Sequence, residues 1–295
     1  MFQLPSPLQE ISSELFKAHD VNVFVKRDDL IHPFVSGNKI RKLQGWLAHA
    51  QDVHAKHLIS FGGAYSNHLL ALSFVSAILG FKSTGFVRGE DSLYNPVLQY
   101  CRLFGMDLKF VSRAAYRDKN ALVKSEKLEN EYENIVIPEG GEGLFGRTGF
   151  SAFLEEPQME ADYYIMSAGT GTTALGIAEA LDDIGNTSSK VIAFACVKDI
   201  TLELIVSHNL ILDFSVVGRG FGKYGSQEVG ITREFLSQSG ILLDPVYTAK
   251  AWLGMLKKIE TGFFPKGSKI IFVHTGGITG WWGAPQNVLM GASEN

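Results

Sequence analysis

A lysine stands directly after Ser36-Gly37-Asn38, where the chain changes from loop to helix. The helix is implied by the apolar positions Leu43, Trp46, Leu47 and Ala50, which place Lys39 in its first turn. The start of a helix carries positive partial charge, so an ammonium group is disfavoured there. A repelled and partly desolvated lysine has a lowered pKa, and the neutral amine is the form that condenses with a carbonyl. The competing reading is an ordinary solvated lysine beside a capping Asn38.

Four further stretches carry chemistry-bearing side chains. The run Ser167-Ala168-Gly169-Thr170-Gly171-Thr172-Thr173 follows an apolar strand and opens a helix, so its glycines, hydroxyls and free N–H groups suit a phosphate. No Gly-Lys-Ser/Thr follows it, and Gly169, Gly171 and Gly176 do not fit the dinucleotide spacing. A plain tight turn is the alternative. In Gly62-Gly63-Ala64-Tyr65-Ser66-Asn67-His68, a hydroxyl, an amide and helix-start N–H groups can surround a carboxylate, although N-capping by Ser66 explains the same residues. His68 is either a general acid or a hydrogen-bonded neighbour. Tyr247 and Thr248 lie in Asp244-Pro245-Val246-Tyr247-Thr248-Ala249-Lys250-Ala251 where a helix begins, and His274-Thr275-Gly276-Gly277 closes the last strand.

The elements that must position these residues alternate between short β-rich runs and helices. Strands are expected at 21–26, 57–60, 83–87, 107–111, 134–137, 163–167, 191–196 and 269–273. Helices are expected from Asn38, from Ser66 to Gly80, over 95–104, over Lys119–Tyr132 and over 174–181. Such alternation implies parallel sheets with helical crossovers, whose ligands collect at the carboxyl ends of the strands. Lys39 and all four loops fall at such ends.

Bulk properties narrow the class. With 295 residues and 45% hydrophobic content the chain can bury a large core in one or two domains. A net charge of −4 without a basic stripe speaks against nucleic acid as a partner. Cys101 and Cys196 are far apart with no CxxC spacing, which excludes a cysteine-built zinc site and suits a reducing compartment; the histidines lack metal-ligand context, so no metal is expected. No apolar run reaches the roughly 18 residues of a membrane span. The N-terminus has no secretory pattern, so a cytoplasmic protein is expected.

Taken together, these stretches resemble the pyridoxal-phosphate enzymes of the tryptophan synthase β-like fold, fold type II. The narrower resemblance is to the branch of D-cysteine desulfhydrase and 1-aminocyclopropane-1-carboxylate deaminase. It is carried by Lys26-Arg27-Asp28-Asp29-Leu30, 36–43, 62–68, 167–173, 244–251 and 274–277, in family order through most of the chain. It implies an α/β protein of parallel-dominated twisted sheets flanked by helices. A large domain of 1–51 plus 154–295 would carry an inserted small domain of 52–153. It implies pyridoxal 5'-phosphate as cofactor, a small amino acid as substrate and a homodimer.

By the same resemblance, Lys39 is the internal aldimine lysine and the base at Cα. Asn38, Lys42 and Ala168 to Thr173 surround the cofactor, and Ser66 and Asn67 grip the substrate carboxylate with His68 beside them, Ser66 being also a catalytic residue placed to act on leaving-group or nucleophile chemistry. Tyr224 and Tyr247 resemble the two active-site tyrosines, Tyr224 within an altered motif in a shortened region between Cys196 and Ile231. The deaminases have Glu after the second tyrosine and Leu after the last-strand histidine; this chain has Thr248 and Thr275, next to cofactor and substrate. A hydroxyl keeps the pyridine nitrogen less protonated than a carboxylate does, which favours elimination of a good leaving group such as thiolate. His68, where deaminases tend to carry Gln, points the same way. The expected activity is conversion of D-cysteine to pyruvate, hydrogen sulfide and ammonia. The alternatives are the deaminase, a D-serine or β-chloroalanine eliminase, and a non-catalytic protein binding a phosphate ligand or the cofactor.

Overall fold

The structure is a computed structural model that describes residues 2–92, 94–130, 133–198, 200, 207–218, 220, 222–284 and 286. Its strands are β1 (Leu8–Ile11), β2 (Asn22–Lys26), β3 (His57–Gly63), β4 (Lys82–Arg88), β5 (Asp107–Val111), β6 (Asn134–Val136), β7 (Tyr163–Ala168), β8 (Lys190–Ala195), β9 (Leu210–Asp213) and β10 (Lys269–Val273). The chain forms two compact units, Met1–His32 with Phe150–Asn295, and Pro33–Gly149.

In the first unit a six-stranded sheet runs in the order β1-β2-β10-β7-β8-β9. Only β1 is antiparallel to its neighbour. Its central strands β10, β7 and β8 are apolar over most of their length because both faces are covered. Ile270 and Phe272 pack with Ile165, Trp252, Met255 and Phe235 on one face, whereas Ile271 and Val273 pack with Tyr164, Ile177 and Phe153 on the other. The alternation is the two-residue period of a strand. The helices Ser226–Ser239 and Thr248–Glu260 supply one cover, and Thr172–Asp183 contributes to the other.

The second unit has a four-stranded parallel sheet, β5-β4-β3-β6. The helix Asn38–Asp52 belongs to this unit, so the unit differs at both ends from the 52–153 domain expected from the sequence. The reason is a close helix pairing. A Cβ on Gly45 would meet the Phe145 carbonyl oxygen at 1.9 Å, and one on Gly149 would meet the Arg41 carbonyl oxygen at 1.8 Å. Glycine at both positions lets the two backbones touch.

The expected helix over Lys119–Tyr132 is shorter, ending at Ser125; its last two residues, 131 and 132, lie outside the described residues. Leu122 and Val123 are its buried contacts, Lys127 turns back at φ 56°, and Leu128 N–H closes on the Val123 carbonyl at 3.0 Å. Glu129 and Asn130 beyond it are exposed and offer no apolar face to bury. The edge strands β1 and β9 carry no regular alternation and are not evident in the sequence.

Candidate active site

The candidate residues fall into two groups, one in each unit. In the Pro33–Gly149 unit the helix bearing Lys39 starts at Asn38, with Gly37 as its cap at φ 67° and ψ −146°. Asn38 is therefore the first helical residue and its side chain serves the lysine: Lys39 Nζ donates to Asn38 Oδ1. Lys39 is half-buried, which does not suit the solvated-lysine reading. Lys42, one turn on, is buried and donates to the Gly140 carbonyl at 3.2 Å. Burial holds its ammonium well below the ordinary lysine range, and the neighbouring Lys39 charge lowers it further.

Ser66 caps the helix Asn67–Leu79, its Oγ accepting from Leu69 N–H at 3.2 Å. That hydroxyl hangs over Gly62, where a Cβ would lie 2.5 Å from Ser66 Oγ. Ser66 and Asn67 are only partly buried, while His68 is 2% exposed. The His68 Nε2 pairs with Ser60 Oγ at 2.8 Å, a partner that sequence reading does not single out.

Burial, then the charges of Lys39 and Lys42, push the His68 pKa from 6.5 to about 3. The unfolded chain therefore takes up a proton near pH 6.5 that the folded chain refuses until about pH 3. The stability tied to the neutral ring is complete above that window and is lost as pH falls through it. Urea midpoints measured between pH 7 and pH 4 should fall, and His68→Gln should flatten that dependence.

In the other unit, β7 ends in Ser167 and Ala168 and the helix Thr172–Asp183 follows. Gly171 caps it at φ 79°, a left-handed conformation that favours glycine, and the cap residue itself offers no side chain to the first turn. Thr172 and Thr173 are buried, and the Thr170 and Thr172 hydroxyls pair at 2.8 Å. A helix start capped by glycine with hydroxyls around it is a donor set that fits a phosphate dianion. A Cβ on Gly169 would lie 3.1 Å from Tyr247 Cε1, so the glycine makes room for the tyrosine ring against this loop.

Tyr247 is placed by Asp244, which sequence reading left without a role. The Asp244 carboxylate accepts from Val246 N–H at 3.0 Å and Tyr247 N–H at 2.6 Å. Thr248 is fully buried, and its hydroxyl closes the same turn: it accepts from Asp244 N–H at 2.6 Å and donates to the Asp244 carbonyl at 3.4 Å. Thr275 pairs instead with Ser167 Oγ at 3.2 Å, joining the ends of β10 and β7. His274 fixes that loop: Nε2 meets the Leu242 carbonyl at 3.0 Å and Nδ1 accepts from Gly276 N–H at 3.2 Å. With Nδ1 accepting, its 3.7 Å approach to Asp29 is a contact rather than an ion pair. Tyr224 belongs to the same unit, its ring edge-on to Trp281 at 5.8 Å. Among the described residues no helix is long and apolar enough to cross a membrane, and no group of three His, Cys, Asp or Glu is placed to hold a metal ion.

Comparison with known proteins adds four findings. The family model for a pyridoxal-phosphate dependent enzyme matches residues 1–209. A Thermotoga maritima protein, provisionally named a 1-aminocyclopropane-1-carboxylate deaminase, is 32% identical over 94% of this chain and 95% of its own. The mitochondrial bifunctional D-cysteine desulfhydrase/1-aminocyclopropane-1-carboxylate deaminase of Arabidopsis thaliana is 30% identical over 88% of this chain and 73% of its own. Among solved structures, one described as an ACC deaminase homologue superposes with a TM-score of 0.81 at 27% identity, covering 95% of this chain and 91% of that one.

Proposed function

The chain belongs to the family of pyridoxal-phosphate dependent enzymes, and on that premise we propose that it is a lyase removing the β-substituent of a small amino acid, D-cysteine foremost. The products are then pyruvate, hydrogen sulfide and ammonia. The enzyme uses pyridoxal phosphate in a two-unit α/β fold of the type II class, which sets aside the non-catalytic alternatives. When bound, the cofactor supplies an electron sink for the charge that develops at Cα.

Each residue has a defined task in this reading. Lys39 attaches the cofactor covalently and moves the Cα proton, with Asn38 orienting its amine. Lys42 and Ala168, Gly169, Thr170, Gly171, Thr172 and Thr173 hold the cofactor, the last three at a helix start capped by glycine. Ser66 and Asn67 take the substrate carboxylate, with His68 beside them. Tyr247, set by Asp244, and Tyr224 are the hydroxyls for proton transfer to the departing group. Of the two threonines, Thr275 is the one we assign to the ring nitrogen, because the Thr248 hydroxyl is engaged at both ends by Asp244.

The observation that favours elimination is the Ser167–Thr275 hydroxyl pair. Hydroxyls support ring protonation less than a carboxylate does, so the site suits a substrate whose β-group leaves readily. The names of the relatives favour a second reading, deamination of 1-aminocyclopropane-1-carboxylate. A panel of D- and L-amino acids scored for keto-acid release separates the two. We expect pyruvate from D-cysteine at least about tenfold faster, in kcat/KM, than 2-oxobutyrate from the cyclopropane, a difference of about 1.4 kcal/mol. The reverse order would assign the chain to the deaminases. The proposal further takes the protein to be a cytoplasmic homodimer without nucleic-acid or membrane partners, which sedimentation and cell fractionation test.

A further inference from the structure

His68 has one nitrogen whose bond reveals where the ring proton lies and another that has no bond. Nε2 is 2.8 Å from Ser60 Oγ, and Ser60 donates its single proton to the Ile137 carbonyl at 2.7 Å. Toward the ring the serine can therefore only accept. Nε2 carries the hydrogen, and Nδ1 is left as a bare lone pair. Among the described residues that Nδ1 is buried with no hydrogen-bond partner, a condition that proteins rarely leave without a ligand or water.

The surroundings of the ring are those of the site. Lys39 and Lys42 act on it from the helix Asn38–Asp52, Ser60 from β3, and the Gly141 backbone packs near Cε1, where a Cβ would come within 3.5 Å. In sequence His68 follows Ser66 and Asn67, the residues given to the substrate carboxylate. Burial of the ring discourages protonation, so Nδ1 stays an acceptor.

We propose that His68 Nδ1 accepts a hydrogen bond from the substrate's β-thiol or β-hydroxyl, and that Ser60 is the positioning residue that fixes the ring for this task. This rests on the lyase reading. With the carboxylate at Ser66 and Asn67 and the α-amino group engaged by the cofactor, the β-substituent is the proton donor that a small amino acid has left. The pair Ser60–His68 then selects β-mercapto and β-hydroxy amino acids over those whose β-substituent carries no proton. The ring holds that proton in place and does not remove it.

The test compares D-cysteine, D-serine and β-chloro-D-alanine as substrates of the holoenzyme. His68→Phe keeps a ring and deletes the acceptor. It should lower kcat/KM for D-cysteine and D-serine about tenfold more than for the chloro compound. Ser60→Ala should do the same more weakly, and Ser60→Thr should restore the wild-type ratio. Nitrogen-15 spectra of His68 in the wild-type holoenzyme should show Nε2 protonated and Nδ1 bare, with mixed tautomers in Ser60→Ala. A bare Nε2, or equal losses on all three substrates, would overturn the proposal. Failure of the wild type to release keto acid from any of the three, with cofactor bound, would overturn the lyase reading and this assignment with it.

Discussion

Lys39→Ala is expected to remain folded, to bind pyridoxal phosphate only reversibly, and to lose keto-acid release by at least about a thousandfold. The fold should tolerate the change, because the residue is half-buried in the first turn of a helix and alanine is the best helix former. The chemistry should not tolerate it. Proton transfer by a positioned base contributes about 10²–10⁴-fold by itself, and loss of the covalent anchor removes positioning as well. Circular dichroism, removal of the bound cofactor by gel filtration and single-turnover pyruvate release measure the three parts separately. Asn38→Ala should fall between wild type and Lys39→Ala, since it removes an acceptor of the amine and leaves the amine itself in place.

A second large effect concerns stability. Gly45→Ala and Gly149→Ala should each destabilise the Pro33–Gly149 unit by about 3 kcal/mol or more, at or beyond the upper end of ordinary overpacking. The new Cβ atoms would fall 1.9 Å from the Phe145 carbonyl oxygen and 1.8 Å from the Arg41 carbonyl oxygen. Backbone atoms cannot rotate out of the way, so the helices Asn38–Asp52 and Leu144–Thr148 would have to part. Parting them would also loosen Trp46 and His49 from Phe145, whose ring centroids are 5.0 Å and 4.0 Å away. Urea unfolding measures the loss. Gly230→Ala is the comparison: it lies in the helix Ser226–Ser239 with nothing within 4 Å of its Cβ, and should be neutral or stabilising by up to about 1 kcal/mol. Because Lys39 rides on the first of the paired helices, the two destabilised variants should also hold cofactor less well.

The core elements and the place of Lys39 were legible in the sequence because they depend on local pattern. Apolar runs of strand length announced β7, β8 and β10, and a helix start announced the lysine. The Ser60–Ile137 bond that sets the His68 tautomer spans 77 positions and exists only once β3 and the segment after β6 lie side by side. The role of Asp244 depends on a turn whose N–H groups converge on one carboxylate, which residue types alone do not reveal. Thr248 shows the opposite limit. Its type suggested a group facing the ligand, whereas its hydroxyl is tied to the Asp244 backbone, and Thr275 with Ser167 is the pair that remains. The helix from Lys119 stops early for a physical reason of the same kind, since charge pattern alone does not provide an apolar face beyond Val123.

The most direct measurement of the central claim is borohydride reduction of the purified, pyridoxal-phosphate-loaded protein, followed by peptide mass mapping. The predicted result is a single phosphopyridoxyl group on the peptide that contains Lys39, absent from Lys39→Ala. A modification on Lys42 or on another lysine, or a cofactor that is bound yet never fixed by reduction, would contradict the assignment of this site.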